Sequence, residues 1–220
     1  MNWSLLRAAP WIDTRAKFVA GTPKGGRVLD LGSSDGGTLR HFAELRPDIS
    51  FAAADIEGKP EAYPHGTDFK RADFDRDPLP WPDASFDRVT CMHVVEHLQA
   101  PGHLIAEAYR VLKPGGSLYI ETPAPETVNM ESAKGAAKGR VTVNFYDDAT
   151  HVRPVEVTEL ARQSRSAGFG AVETGVSRNL IFAASFPILR VAKPQSRARY
   201  VAQLHWTGWS VYTIAFSGGC

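Results

Sequence analysis

A chain of 220 residues, 43% hydrophobic and 22% charged, is long enough to bury one sizeable core, and a single domain over residues 1–220 is the expectation. Twenty-five Lys and Arg against 24 Asp and Glu leave a formal net charge of +1, so there is no broad positive field to hold nucleic acid or a bilayer, and any basic patch must be local. Two cysteines, Cys91 and Cys220, are too few and too far apart for a disulfide framework or a zinc cluster; they read as free thiols of a reducing compartment, which points to the cytoplasm.

The N-terminal stretch "MNWSLLRAAPWIDTRAKFVAG" carries charges and a proline within its first fifteen positions, unlike a secretory leader. Its Trp3, Leu5, Leu6 and Trp11 suit either a lid over an acceptor or packing on a sheet. No window reaches 18 apolar residues, so no membrane span is expected. "RVLDL" reads as a buried strand, followed by a glycine-rich turn and a helix whose stripe is Leu39, Phe42 and Ala43. "ISFAAAD", a weaker "TDFKRAD", "DRVTCM" and "SLYIET" read as further strands, with a helix striped by Leu104, Ala108, Val111 and Leu112 before the last of them. "KPGG", Lys113 to Gly116, is the expected stop of that helix. The strands are continuously apolar rather than alternating, as in a parallel sheet covered on both faces, and their alternation with helices is the doubly wound α/β rhythm. Residues 123–153 form a polar segment, expected to be a lid or substrate loop. Val155 to Ala167 is helical and ends at Gly168, "GAVETGV" is a sixth strand, Phe186 to Trp206 a partly basic amphipathic helix interrupted by Pro194, and "GWSVYTIAF" a seventh strand.

The turn "GSSDG" brings backbone N–H groups close to a ligand, as nucleotide-binding folds do, but its spacing misses G-x-G-x-x-G and it is flanked by Asp30 and Asp35. A unit charge pair at about 4 Å is worth about 4 kcal/mol at an effective dielectric near 20. Such carboxylates repel a pyrophosphate and attract an ammonium or sulfonium, so the loop selects a cation-bearing nucleoside.

"VLDLGSSDGG" resembles motif I of the class I S-adenosylmethionine-dependent methyltransferases. The resemblance continues through "FAAADIE", "RADFDRDPLPWPDASFDRVTCMHVVEHL" and "AEAYRVLKPGGSLYIETP", every block in order over roughly residues 25–125. Ser34 departs from it, standing where the family usually has a second glycine. The resemblance implies a Rossmann-like doubly wound, seven-stranded, mostly parallel sheet with an antiparallel last strand. It implies a cofactor-binding half at 25–125, with acceptor-binding elements at 1–24 and 123–206. It further implies S-adenosylmethionine as cofactor, held around its amino acid part by a loop of Asp30, Gly32, Ser33, Ser34 and Gly36. Asp55, with Ile56 beside it, would take the ribose hydroxyls in competition with Glu57; Asp73 and Phe74 would meet the adenine; and Cys91, Met92 and His93 would floor the methionine.

Methyl transfer from an activated sulfonium needs an aligned acceptor and, for a hydroxyl, a base. His93, Glu96 and His97 in "CMHVVEHL" stand at i, i+3 and i+4, on one side of a helical turn. Ubiquinone-type O-methyltransferases, which this block resembles, carry an acidic residue, Glu and His here, and a divalent cation is implied for some; here the first position is His93. The spelling also matches H-x-x-E-H, but no third zinc ligand is marked. "NFYDDATHVRP" resembles segments of bacterial sugar and metabolite methyltransferases, with His151 as candidate base, Asp147 or Asp148 to orient it and Arg153 for an anionic group. The expectation is therefore methyl transfer to a small molecule, most readily at a hydroxyl, with a homodimer possible in principle and neither nucleic acid nor stable membrane insertion involved. No N-P-P-Y or D-P-P-Y tetrad marks a nucleobase methylase. A macromolecular acceptor and a non-catalytic cofactor-binding protein of the same fold are the alternatives.

Overall fold

A computed structural model describes residues 3–218 of the chain; Cys220 lies outside the described residues. Five strands, β1 (Arg27–Leu31), β2 (Ser50–Asp55), β3 (Asp68–Arg71), β4 (Phe86–Met92) and β5 (Leu112–Pro123), run parallel, and β6 (Phe169–Ser177) and β7 (Ser210–Ser217) complete a seven-stranded sheet of order β3-β2-β1-β4-β5-β7-β6. β7 is inserted between β5 and β6 and pairs antiparallel with both.

The continuous apolar runs have the expected cause, since both sheet faces are covered. Leu29, Leu31, Ala52 and Ala54 pack on one face with Leu104, Ile105 and Ala108 of α3 (Pro101–Val111) and Leu160 of α4 (Val157–Ala167). The alternate residues Val28, Phe51 and Ala53 pack on the other, with Phe18 of α1 (Thr14–Ala20) and Leu39, Phe42 and Leu45 of α2 (Gly37–Leu45). The order reverses between β1 and β4, leaving a crevice at the carboxyl ends of β1, β2 and β4, where open α/β sheets bind ligands.

Four sequence expectations are refined. "KPGG" is not a loop between helix and strand: β5 begins at Leu112, opposite Phe86, and the register then jumps to Arg88 opposite Ser117, so Lys113–Gly116 form an irregularity inside the strand, with Gly115 at φ +78°. The basic helix is two helices, α5 (Leu180–Ala192) and α6 (Arg197–Thr207); the chain breaks at Pro194, while Pro187 stays within α5. The 123–153 segment holds short 3-10 turns at Pro125–Asn129, Gly135–Ala137 and Phe145–Asp147, and Ala133, Ala137 and Val143 pack on Tyr200 of α6. Trp3 and Leu6 are buried against α2, with Trp3 stacked 4.9 Å from His41, rather than over the crevice.

Gly32, at the end of β1, sits at φ +78°, and a Cβ there would collide with Cγ2 of Val94. Gly32→Ala combines backbone strain with a steric clash and is expected to cost about 1–3 kcal/mol or more of stability, measured as a drop in thermal or denaturant midpoint.

Candidate active site

The first turn after β1 is tied to the end of β2. The N–H groups of Gly32 and Ser33 donate to the carbonyl of Ala54 (2.9 and 3.3 Å), and the N–H of Ser34 donates to Oδ2 of Asp55 at 2.8 Å. Ser34 adopts φ +45°, taking the left-handed conformation that a glycine would adopt without strain. A cavity of about 370 Å³ opens on this turn, large enough for a nucleoside-sized ligand. Gly32, Ser34, Asp55, Ile56, Asp73, Phe74, His93 and His97 all line it, from three strand ends and the loop after β4.

Other residues expected at the cofactor stand behind this surface. Ser33 is buried with its Oγ 2.8 Å from the Tyr63 hydroxyl, Gly36 packs on the Tyr63 ring, and Met92 turns to the α1/α2 side of the sheet. Asp30 is buried, accepting from Oγ1 of Thr90 at 2.7 Å; burial pushes its carboxyl up to about 7, the Thr90 bond opposing that rise and the charge of Asp55 adding to it. Asp35 faces solvent and caps the N–H of Gly37. The acidic character of the cavity therefore comes from Asp55, Asp73 and Asp75 on its wall. Asp55 also accepts the Glu57 N–H at 2.9 Å, while Glu57 itself stays outside the lining. Asp75, Ala72, Val94 and Leu98 are lining residues that sequence reasoning missed; the signal for Asp75 was its place two residues beyond Asp73 in the same turn.

A second cavity of about 410 Å³ shares His93 and His97 with the first and is otherwise walled by Glu96, Arg140, Val141, Thr142, Asp148, His151, Arg197, Val201, Leu204 and Trp209. Roomier clefts of about 470 Å³ lie along residues 130–147 and against α6, where no strand end contributes to the wall.

His93 stands where the two cavities meet, at φ +56°, its N–H donating to the carbonyl of Glu121 at 2.8 Å. Its Nδ1 lies 3.2 Å from Oε1 of Glu96 and its Nε2 3.3 Å from Oε1 of Glu121, and both glutamates are fully buried. Burial alone would lower the imidazole's affinity for a proton; the two carboxylates outweigh it and push the value up to about 9. Both ring nitrogens are thus donors. Glu121 also receives a two-pronged contact from Arg15 (2.8 and 3.1 Å) and hydroxyl bonds from Tyr119 (2.6 Å) and Ser177 (2.7 Å). Burial would raise its carboxyl, but Arg15 and His93 hold it well below the usual range. Neither Arg15 nor Glu121 carried a local sequence signal, because the partners are 106 residues apart.

Across the second cavity, Nδ1 of His151 is 2.6 Å from the carbonyl of Phe145, and Nδ1 of His97 is 3.2 Å from that of Thr150. A carbonyl only accepts, so each Nδ1 carries a proton and each Nε2 is the free nitrogen. The two rings lie 4.8 Å apart, and Oδ2 of Asp148 is 4.0 Å from Nε2 of His151. Asp147 is occupied in capping, accepting from the N–H groups of Val143 and Asn144, and Arg153 is paired with Glu159 at 2.6 Å, so neither serves the cavity as the sequence suggested.

A doubly wound sheet with an acidic nucleoside-sized crevice at its switch point, opening onto a histidine-lined cavity, defines a group-transfer enzyme of the methyltransferase type. A family model described as a methyltransferase domain matches residues 4–174, and the chain belongs to that family, whose cofactor is S-adenosylmethionine. It is 29% identical over 185 residues to a ubiquinone biosynthesis O-methyltransferase of Thiobacillus denitrificans, covering 77% of this chain and 73% of that protein. It is likewise 29% identical over 170 residues to the 27-O-demethylrifamycin SV methyltransferase of Amycolatopsis mediterranei, covering 68% of this chain but only 62% of that protein. Among solved structures, a SAM-dependent methyltransferase from Archaeoglobus fulgidus superposes with a TM-score of 0.62 at 21% identity, covering 98% of this chain and 94% of that one.

Removing one partner from a buried charge cluster leaves the others uncompensated, so Glu121→Gln is expected to cost about 3–5 kcal/mol in denaturant titrations at pH 7. The sign with pH follows from His93. With a folded value of about 9 against an ordinary 6.5, its contribution is complete below pH 6.5 and is lost as the pH rises through 9. Stability of the wild type should fall across that window, and Glu121→Gln should flatten the fall.

Proposed function

We propose that the two cavities are the cofactor and acceptor halves of one site that moves a methyl group from S-adenosylmethionine to a hydroxyl of a small molecule. The observation that carries this reading is their shared wall: a sulfonium seated in the acidic cavity has its methyl facing His93 and His97, across which the acceptor cavity opens. The names of the two relatives, both O-methylating by name, support the hydroxyl.

In this reading Asp55 accepts the ribose hydroxyls with the oxygen lone pairs left by the Ser34 and Glu57 N–H groups, and Asp73 accepts from the adenine amino group beside Phe74 and Leu98. Buried Asp30 adds negative potential beneath the turn. His93, hydrogen-bonded to carboxylates at both nitrogens, is a fixed cation that shapes the junction and has no lone pair to act as base. The base is His151: its Nδ1 proton is fixed on Phe145, which leaves Nε2 to take the hydroxyl proton with Asp148 nearby to balance the resulting charge. Arg140 and Arg197, exposed on the same wall and in no ion pair among the described residues, suit an acceptor that carries an anionic group.

The resemblance to ubiquinone-type enzymes implies a divalent cation in some relatives, and the donor set here fits one. Glu96, His97 and His151 each offer a ligand atom within 4.8 Å of the others, and both histidines are anchored through Nδ1 with Nε2 free. These three, without His93, would hold an ion whose chemistry is to lower the pKa of a bound hydroxyl, and with Nε2 of His151 on the ion that effect would take the place of His151 as general base.

A labelled-methyl assay over phenols, sugars and hydroxy acids tests the proposal, and absence of product from every hydroxyl acceptor beside tight cofactor binding would count against it. Asp55→Ala is expected to weaken S-adenosylmethionine binding by more than tenfold, about 1.4 kcal/mol, by calorimetry. His151→Ala should lower kcat by about 100-fold or more with cofactor affinity unchanged. Loss of activity on chelation, restored by one divalent metal, would assign the Glu96, His97 and His151 cluster to an ion; full retained activity would remove the ion from the mechanism.

A further inference from the structure

α5 is apolar on every side but one. Its buried side, Ala183 and Phe186, packs inward, yet the opposite side, formed by Leu180, Ile181, Ala184, Pro187, Ile188 and Val191, is exposed. Ile188 and Val191 keep 71% and 79% of their surface in solvent. These positions fall on one face at 3.6 residues per turn, and a helix that is apolar all round is ordinarily buried in protein or lipid. Trp206 of α6, 49% exposed, packs on Phe186 at the edge of this face. Trp11, 63% exposed, lies near its start, because Asp13 accepts a hydrogen bond from Asn179, the N-cap of α5.

The charges carried by the two helices themselves are one-signed, while Asp13 at the start of α5 and Glu131 beside α6 come from other elements. No Asp or Glu follows Glu173, whereas Arg178, Arg190, Lys193, Arg197 and Arg199 all fall within α5, α6 and their ends. Arg190, Lys193 and Arg197 are exposed and in no ion pair among the described residues. We propose that this face docks on the surface of a bilayer containing anionic lipids, α5 lying in the interface with its aliphatic side chains among the acyl chains and its cations at the phosphates. At 13 residues α5 is about 20 Å long, too short to cross about 30 Å of hydrocarbon, and no described helix is long and apolar enough to cross a membrane. A second copy of the chain is the less suitable occupant: a two-fold contact through this face would bring its own cations together with no carboxylate on either helix to meet them. α6 also supplies Arg197, Val201 and Leu204 to the acceptor cavity, so docking would set that cavity beside the lipid.

Flotation of the purified protein with unilamellar vesicles tests this, using phosphatidylcholine alone and phosphatidylcholine mixed with phosphatidylglycerol. The wild type is expected to bind the mixed vesicles far better than the neutral ones and to be released by salt. Ile188→Glu/Val191→Glu should reduce that binding by at least about tenfold, and Arg190→Glu/Lys193→Glu should abolish the preference for anionic lipid. Unchanged S-adenosylmethionine affinity and melting temperature in both variants establish that the fold is kept. Failure of the wild type to bind either vesicle, or binding that survives Ile188→Glu/Val191→Glu, overturns the proposal. So does a dimer in sedimentation equilibrium that the same variant dissociates without vesicle binding, which assigns the face to a second copy. The methyl-transfer reading stands apart from each of these outcomes, since S-adenosylmethionine titration and product formation are measured without vesicles.

Discussion

The carboxylate of Glu121 is the point on which the active end of the molecule is hung. It belongs to β5, yet it receives Arg15 from α1, Ser177 from the end of β6 and the ring of His93 from the turn after β4, so one buried charge fixes the relative positions of four elements. A fully buried carboxylate is tolerable only when its lone pairs are filled and its charge is met. Arg15 meets the charge and Tyr119 and Ser177 fill the remaining acceptor sites. The consequence for the site is mechanical as well as electrostatic. His93 is held at a positive φ that a residue with a side chain adopts at a cost, and the backbone bond to Glu121 together with the two ring contacts offsets that cost.

Charge also separates the two halves of the site. Carboxylates at Asp55, Asp73 and Asp75 make the wall of the first cavity negative. The wall of the second cavity carries Arg140, Arg197 and three imidazoles, with Glu96 buried beneath and Asp148 at the edge. The gradient runs across His93, whose two N–H groups are directed at Glu96 and Glu121. Asp30 sits apart from this gradient, buried beneath the turn with its carboxyl pushed up to about 7 by that burial.

The features legible in the sequence are those written in short windows. "RVLDL" and "ISFAAAD" announced buried parallel strands because the residues inside them, Val28 to Leu31 and Phe51 to Ala54, all face a covered side of the sheet, and "GSSDG" announced its turn because Gly32 needs a conformation that side chains resist. The order of blocks from residue 25 to 125 carried the family resemblance, and eight of the residues expected at the site, histidines included, line one cavity. What escaped was non-local. Nothing near "SLYIET" says that its glutamate meets an arginine 106 positions earlier. Nothing in "GWSVYTIAF" says that it enters the sheet between β5 and β6 rather than at the edge. Asp35 is local, next to Gly36, but its carboxylate accepts from the N–H of Gly37 two residues on and is not among the residues lining the cavity.

α6 shows how the second cavity differs from the first in what holds its wall. One side of the helix supplies Arg197, Val201 and Leu204 to the cavity, Tyr200 anchors the 123–153 segment through the N–H of Lys134, and Trp206 supports α5 through Phe186. Trp209, just beyond the helix, donates from Nε1 to the carbonyl of Val143 at 2.7 Å and faces the ring of His93 at 5.6 Å. The long polar segment is thus held by a helix pair whose outer face is apolar, and it carries His151 at its end. Tyr200 and Trp209 connect α6 and the residues just after it to that cavity wall, whereas the turn after β1 is held by the end of β2, the N–H of Lys59, Arg40 and the Tyr63 hydroxyl. The two cavities are therefore walled by different sets of elements, with His93 and His97 as the residues common to both.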